Sequence, residues 1–352
     1  MSISRPFDIL RRLPRFTGYL TKKPAFGARV LTHLAKRRMG GAPLGICEYA
    51  VTMNCNATCP KCSSDRMIDR TRKRMLPEKI RDLADTIDRL GVYEVNFTGG
   101  EPTLDKKLED IVAMFHPEHT FLGLNTHGGF LDHRRILTLR DAGLDLFKFS
   151  MDSPIAAEHN AGRGIPGLLE HIFDLLRFID ETPGVRGHFC VTATREMIET
   201  GKLAKAVELA AGANATIGFV IPTPVGRWED NIEILLEPHH FDVILKLARH
   251  PAVFLPAFTG NGKDNDTSEI YVTCFGDVLP NPYVQISFGN INDEPLEAIL
   301  ARIDQWPEMH GAIKPALLLE NERFVTTYIK PLSDAPVLPL RYDRHPNIHL
   351  AG

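Results

Sequence analysis

From Pro77 onward the chain alternates between two hydrophobic rhythms. Ile80, Leu83, Ala84, Ile87 and Leu90 fall on one face of a helix that Pro77 opens and Gly91 ends. Residues 92–97 then form a short apolar run that reads as a strand. The same exchange repeats along the chain. Helical spacing covers residues 104–115, 131–142, 168–179 and 203–211, and strand-like runs cover 121–124, 144–150, 188–193 and 215–221. With a strand at Val51 there are about six strand–helix units, which predict βαβ connections and a parallel sheet of α/β class. Residues 222–227 are a turn-rich break. Beyond it come a helix at 239–249, strand-like runs at 253–258 and 270–275, and glycine-rich turns at Gly276 and Gly289. The expected division is a segment 1–45, a core 46–230 and an α+β extension 231–352.

Composition narrows the class. The chain has 352 residues, 43% hydrophobic and 24% charged, enough for a sizeable buried core. A net charge of −3 gives no general attraction to nucleic acid, so no nucleic-acid partner is expected. No apolar run is long enough to span a bilayer, and a secretory-signal pattern is not seen at the start. Six cysteines are too few for a disulfide scaffold and fit a reducing cytoplasm. Charge is uneven, however. Residues 1–45 carry ten Lys or Arg against Asp8 alone, a net of +9 that leaves −12 for the rest. Leu10, Leu13, Phe16, Tyr19 and Leu20 are interleaved with those charges. Such a segment either packs on the outside of the core or rests on an anionic membrane surface or acidic partner. The expected location is therefore cytoplasmic, with peripheral contact at the inner membrane surface as a variant.

Three of the six cysteines stand together as Cys55-Asn-Ala-Thr-Cys59-Pro-Lys-Cys62. Cysteine thiolates hold iron–sulfur clusters, and a [4Fe–4S] cluster has four irons. Three ligands leave one iron open to a small molecule. A structural zinc site is the competing reading, but zinc prefers four closed ligands, and no fourth is evident nearby. Further on, Asn96-Phe-Thr-Gly99-Gly100-Glu101-Pro102 closes one strand, Asn125-Thr126-His127-Gly128 the next and Phe149-Ser150-Met151-Asp152 the one after.

Together these motifs resemble the radical S-adenosylmethionine (radical SAM) family over roughly residues 45–225. The resemblance implies a partial (β/α)6 TIM-like barrel with its chemistry at the C-terminal strand ends, where all these motifs fall. It implies a [4Fe–4S] cluster on Cys55, Cys59 and Cys62, SAM on the open iron, and an enzyme that cleaves SAM reductively to a 5′-deoxyadenosyl radical. Gly99, Gly100 and Glu101 would meet SAM's amino group, and Asn125 and Thr126, with His127, the adenosine. Ser150 and Asp152 would meet the ribose or methionyl part, and Arg163 the carboxylate, with Thr192, Thr194 and Ile221 as weaker candidates. One departure is Lys61, which stands where the family usually has an aromatic residue before the third cysteine.

The tail, Cys274-Phe-Gly-Asp-Val-Leu-Pro-Asn281 and then Phe288-Gly-Asn-Ile, resembles the SPASM or twitch extension of the same family. Asn281 occupies a usual cysteine position and no cysteine follows Cys274, so a degenerate extension without an auxiliary cluster is expected. Cys274 is then a packed relic or a catalytic hydrogen-atom donor. The resemblance implies a biosynthetic enzyme that abstracts hydrogen from a small-molecule or lipid-like substrate, with a flavodoxin or ferredoxin as electron donor. A peptide-maturation enzyme and a non-catalytic metal-binding scaffold are the alternatives.

Overall fold

The computed structural model describes residues 23–41, 43–254, 268–309 and 322–350. Six parallel strands follow one another as expected: β1 (Leu44–Thr52), β2 (Glu94–Gly99), β3 (Phe121–Thr126), β4 (Leu146–Met151), β5 (Arg186–Thr192) and β6 (Thr216–Val220). After β6 the chain returns to the opposite edge. There β7 (Ser268–Val272) pairs parallel with β1, and β8 (Asp277–Leu279) pairs antiparallel with β7. After the short β9 (Ile286–Ser287), β10 (Gly289–Asn290) adds to β8, giving the strand order β10-β8-β7-β1-β2-β3-β4-β5-β6. A separate small ladder joins β9 to β11 (Leu340–Arg341). The tail thus extends the barrel's own sheet. Backbone hydrogen bonding, which hydrophobic period does not report, made that connection.

Strand residues alternate between two faces. Cys47, Tyr49, Val95, Phe97, Phe147, Phe149, Phe189 and Val191 are buried beneath the helices. Phe115 stacks 5.7 Å from Tyr49 and meets Phe97 edge-on at 5.2 Å, while Phe173 lies 5.8 Å from Phe189. Burying each such ring is worth about 2 kcal/mol. Helix Pro77–Leu90 buries Ile80, Leu83, Ala84 and Ile87 and ends at Gly91, as its pattern predicts. The other strand face is polar and half-buried, and carries Glu48, Glu94, Lys148, Ser150, Cys190 and Thr192.

Helix Pro24–Arg38 closes the N-terminal end of the barrel. Lys23 bonds Asp145 at 2.5 Å and Arg29 bonds Asp88 at 2.7 Å. Phe26 packs on Phe121 and His33 on Tyr93. This end of the basic segment packs as expected. The apolar residues Leu10 to Leu20 lie outside the described residues, as does most of the expected strand at 253–258.

Some boundaries moved. The helix expected at 104–115 is a 3-10 turn at Pro102–Leu104 followed by a helix at Leu108–Met114. Asp105 breaks it, because its side chain accepts from the amide of Lys107 and its carbonyl from Arg135. The strand expected at 270–275 is Ser268–Val272. A helix at Ala156–Arg163 was not expected, since its short sequence carries little apolar periodicity. No helix among the described residues is long and apolar enough to cross a membrane.

Candidate active site

The cysteine loop leaves β1 at the C-terminal end of the barrel and has no regular structure from Asn54 to Pro60. Its shape comes from the surrounding segments. The amide of Thr58 bonds the carbonyl of Arg163, at the end of helix Ala156–Arg163. Arg227 donates to the carbonyls of Thr58 (2.9 Å) and Cys59 (2.8 Å), its guanidinium pairs with Asp65 at 3.0 Å, and its amide bonds the carbonyl of Cys62. Gln285, from the tail, donates to the carbonyl of Ser63 at 2.6 Å. Arg66 reaches Glu229 and the carbonyls of Leu332, Ser333 and Ala335. Gly226 has φ +62°, and a Cβ there would collide with the carbonyl oxygens of Cys62 and Ser63.

Cys55, Cys59 and Cys62 are free thiols, Cys55 exposed and the other two partly so. Burial raises the pKa of each. Arg163 acts against this at Cys55 and Cys59, and Arg227 at Cys62. The thiols also raise one another, Cys55 and Cys62 acting on Cys59 and Cys55 on Cys62, so the three lie within electrostatic reach of one another on one loop. Cys47 is buried on the helix side of β1, and Cys190 lies on the inner face of β5. Cys274 is 1% exposed behind the root of the loop. Its carbonyl accepts from Met75, and burial pushes its thiol up to about 11. Three free thiols on one loop, influenced by Arg163 and Arg227 and with the other cysteines held elsewhere, are a donor set that suits an anionic cluster with one open iron.

Gly99 and Gly100 close on protein backbone. Gly99 has φ +130°, and a Cβ on it would strike the carbonyl of Thr52, while one on Gly100 would strike that of Asn54. The amides of Gly100 and Glu101 complete the contact, donating to the carbonyls of Thr52 at 2.7 Å and Asn54 at 2.8 Å. The Cβ side of both glycines therefore faces the root of the cysteine loop. Glu101 is 1% exposed. One carboxylate oxygen accepts from the Thr103 amide (3.1 Å), the Thr103 hydroxyl (2.5 Å) and the Thr126 hydroxyl (2.6 Å). The other accepts from the amide of His127 at 2.9 Å and lies 3.3 Å from its Nε2. His127 Nε2 also meets Asn56 at 3.0 Å, which ties this network to the loop.

Asp152 and Arg163 form a bidentate pair at 2.5 and 2.9 Å, and Lys61 joins Asp152 at 3.1 Å. Burial opposes charge on Asp152, but Arg163 and Lys61 outweigh it and hold the carboxyl well below its usual range. Arg163 is likewise raised by Asp152 against the cost of burial. The unusual Lys61 thus links the third cysteine to β4. Arg163 is a helix-terminal residue whose fork holds a protein carboxylate, where the resemblance implied that of SAM. Ser150 lies on the inner face beside Cys190, Thr192 pairs with Val220 and Asn125 with Lys148. The Oδ1 of Asn125 is buried without a hydrogen-bond partner. Sequence reasoning brought the three cysteines, the glycine pair and the strand ends together. It missed Arg66, Gly226, Arg227 and Gln285, whose one signal was the turn-rich stretch around Gly226.

A family model described as the radical SAM superfamily matches residues 49–156. The AdoMet-dependent heme synthase of Nitratidesulfovibrio vulgaris is 20% identical over 307 residues, 78% of this chain and 83% of that protein. Residues 49–156 thus carry a radical SAM domain. The chain is also 34% identical to a GTP 3′,8-cyclase of Synechococcus sp. over 137 residues, 36% of this chain and 37% of the cyclase. Among solved structures, Streptococcus suis SuiB bound to the precursor peptide SuiA superposes with a TM-score of 0.58 at 12% identity, covering 85% of this chain and 70% of SuiB. That likeness matches the α/β partial barrel expected from the sequence. The radical SAM superfamily uses a [4Fe–4S] cluster and SAM.

Proposed function

We propose that this radical SAM enzyme holds its cluster on Cys55, Cys59 and Cys62 and acts on a small-molecule or lipid-like biosynthetic substrate at the C-terminal mouth of the barrel. The observation that carries this reading is three free thiols on one loop, within electrostatic reach of one another and of Arg163 and Arg227. Bound there, the cluster and SAM would supply a 5′-deoxyadenosyl radical able to take hydrogen from an unactivated C–H bond. Gly99 and Gly100 lock the loop root to the end of β2, and Glu101 fixes Thr126 and His127 at the end of β3. Asn125, Ser150 and Thr192 present polar groups along the inner face for SAM or substrate, and Asp152 with Arg163 fixes the fourth strand end. Cys274 is a packing residue at the loop root, Asn281 closes a turn by accepting from the amides of Tyr283 and Val284, and the sequence after Cys274 has no further cysteine to offer a second cluster.

A flavodoxin or ferredoxin is the proposed electron donor. Peripheral membrane contact is a further part of the reading, because helix Pro24–Arg38 exposes Leu31, Leu34 and Met39 near Lys36 and Arg38. A peptide substrate is the second reading, favoured by the likeness to SuiB in its peptide complex. Anaerobic reconstitution with iron and sulfide tests the proposal, followed by iron counting, EPR with and without SAM, and measurement of released 5′-deoxyadenosine. About four irons per chain and a SAM-sensitive signal are expected. About eight irons overturns the single-cluster reading, and a spectrum indifferent to SAM overturns the site.

A further inference from the structure

The inner face of the barrel carries more acid than the chain can neutralise. Glu48 on β1 is in register with Asn96 on β2, and Ile46 is flanked by Glu94 on β2 and Glu269 on β7. With a period of two, all three glutamates stand on one face of three adjacent strands. Opposite them is one described cation, Lys148 on β4, already committed to Glu94 at 3.1 Å and Asn96 at 2.5 Å. His188 supplies no second charge, since burial pushes it down to about 3. Burial and mutual repulsion push Glu48 up to about 7 and Glu269 well above its usual range. Neither has an ion-pair partner among the described residues. Groups left this way are costly unless a ligand completes them. The buried, unpartnered Oδ1 of Asn125, in register with Lys148, is a second acceptor waiting on the same face.

The carboxylates are not gathered as a metal site. Among the described residues, the clusters with ligand atoms within 4.8 Å of one another are Asp88–His116–His119 and Glu199–His239–His240. In the second of these, Nδ1 of His240 accepts from the amide of Glu237, which leaves the proton on Nε2 and no free lone pair there. In the first, Arg29 already occupies Asp88. The inner face instead suits an extended organic cation. The segment between β8 and β9 closes over it: Gln285 bonds the cysteine loop, while Tyr283 is within electrostatic reach of Glu48, Glu269 and Cys190.

We infer that the substrate of this enzyme carries a protonated amine, received by Glu48 and Glu269 at the floor of the barrel beneath the cysteine loop. This names a substrate class for the site proposed above and rests on that reading for its location. An ammonium group would supply the missing charge, and an anionic substrate would meet repulsion from two carboxylates in a low-dielectric space.

The test uses the reconstituted enzyme with SAM and three matched four-carbon probes: butylamine, butan-1-ol and butyrate. Ligand-observed NMR at pH 8 reads their dissociation constants. Butylamine is expected to bind at least tenfold more tightly than the other two. The Glu48→Gln/Glu269→Gln double variant is expected to lose that preference, with a cooperative melt showing that it has folded. Asp174→Asn, an exposed carboxylate on the outer helix, controls for net charge and should retain the preference. Equal binding of the three probes, tighter binding of butyrate, or an amine preference that survives in the double variant each overturns the inference. The wild-type comparison stands even if the double variant does not fold. Release of 5′-deoxyadenosine is measured separately, so failure of the SAM reading is distinguished from failure of the charge reading.

Discussion

The two levels of this barrel treat charge in opposite ways. At the mouth, acid is matched by base: Asp152 is gripped by Arg163 and Lys61, and Asp65 by Arg227. Glu101 is saturated by hydroxyl and amide donors. Deeper inside, Glu48 and Glu269 face a lysine that is already engaged. The first arrangement is complete without a ligand and gives the cysteine loop a fixed frame. The second is incomplete and is relieved only by protonation or by an incoming cation. A satisfied network builds rigidity and an unsatisfied one selects a ligand, although both are made of the same residue types.

Breaking the mouth has the largest expected consequence. Cys59→Ala should reduce iron to well below one cluster per chain and abolish SAM cleavage, as read by iron assay and 5′-deoxyadenosine release. Arg163→Ala comes next, because it leaves Asp152 buried with Lys61 alone. A loss of about 3 kcal/mol in a denaturant melt is expected, and an unchanged melt would mean the pair is not structural. Gly226→Ala should cost about 2 kcal/mol and reduce cluster retention, since the loop carbonyls of Cys62 and Ser63 must move aside.

The floor provides the sharper contrast, through pH. A carboxyl raised in the folded state contributes stability below its unfolded pKa, and that stability is lost as pH climbs through the folded value. For Glu48 the window runs from the ordinary carboxylate range up to about 7. Glu48→Gln should therefore be more stable than wild type at pH 8, by up to about 3 kcal/mol, with the difference vanishing near pH 5. The groups facing Glu48 are Glu94, Lys148, Cys190, Glu269, Tyr271 and Tyr283. Asp152 runs the other way, because its depressed pKa gives stability that is lost only as pH falls into the acid range. A variant whose pH–stability curve parallels that of wild type would erase the distinction between the two levels. The smallest effect is expected from Arg227→Gln, a melt close to that of wild type, because its side chain is more than a third exposed and its lost bonds can be replaced by water.

Local pattern was enough for much of this molecule. The three-residue and two-residue spacings of Cys55, Cys59 and Cys62, the Gly99–Glu101 turn and the order of six strands are properties of neighbouring residues, and hydrophobic period and motif spacing report neighbours. The sequence could not show that Gly99 presses on Thr52, that Arg163 is filled by Asp152, or that Arg227 holds carbonyls from Thr58 and Cys59. These contacts join residues far apart in the chain. The acidic floor was hidden for the same reason. Glu48, Glu94 and Glu269 each look like an isolated strand charge, and only strand pairing sets β7 beside β1 and places the three on one face. Sequence alone determined which elements form and where the thiols lie, because those depend on short-range propensity and spacing. Which charges are answered and which await a ligand was decided by the tertiary structure, because neutralisation depends on distance in space.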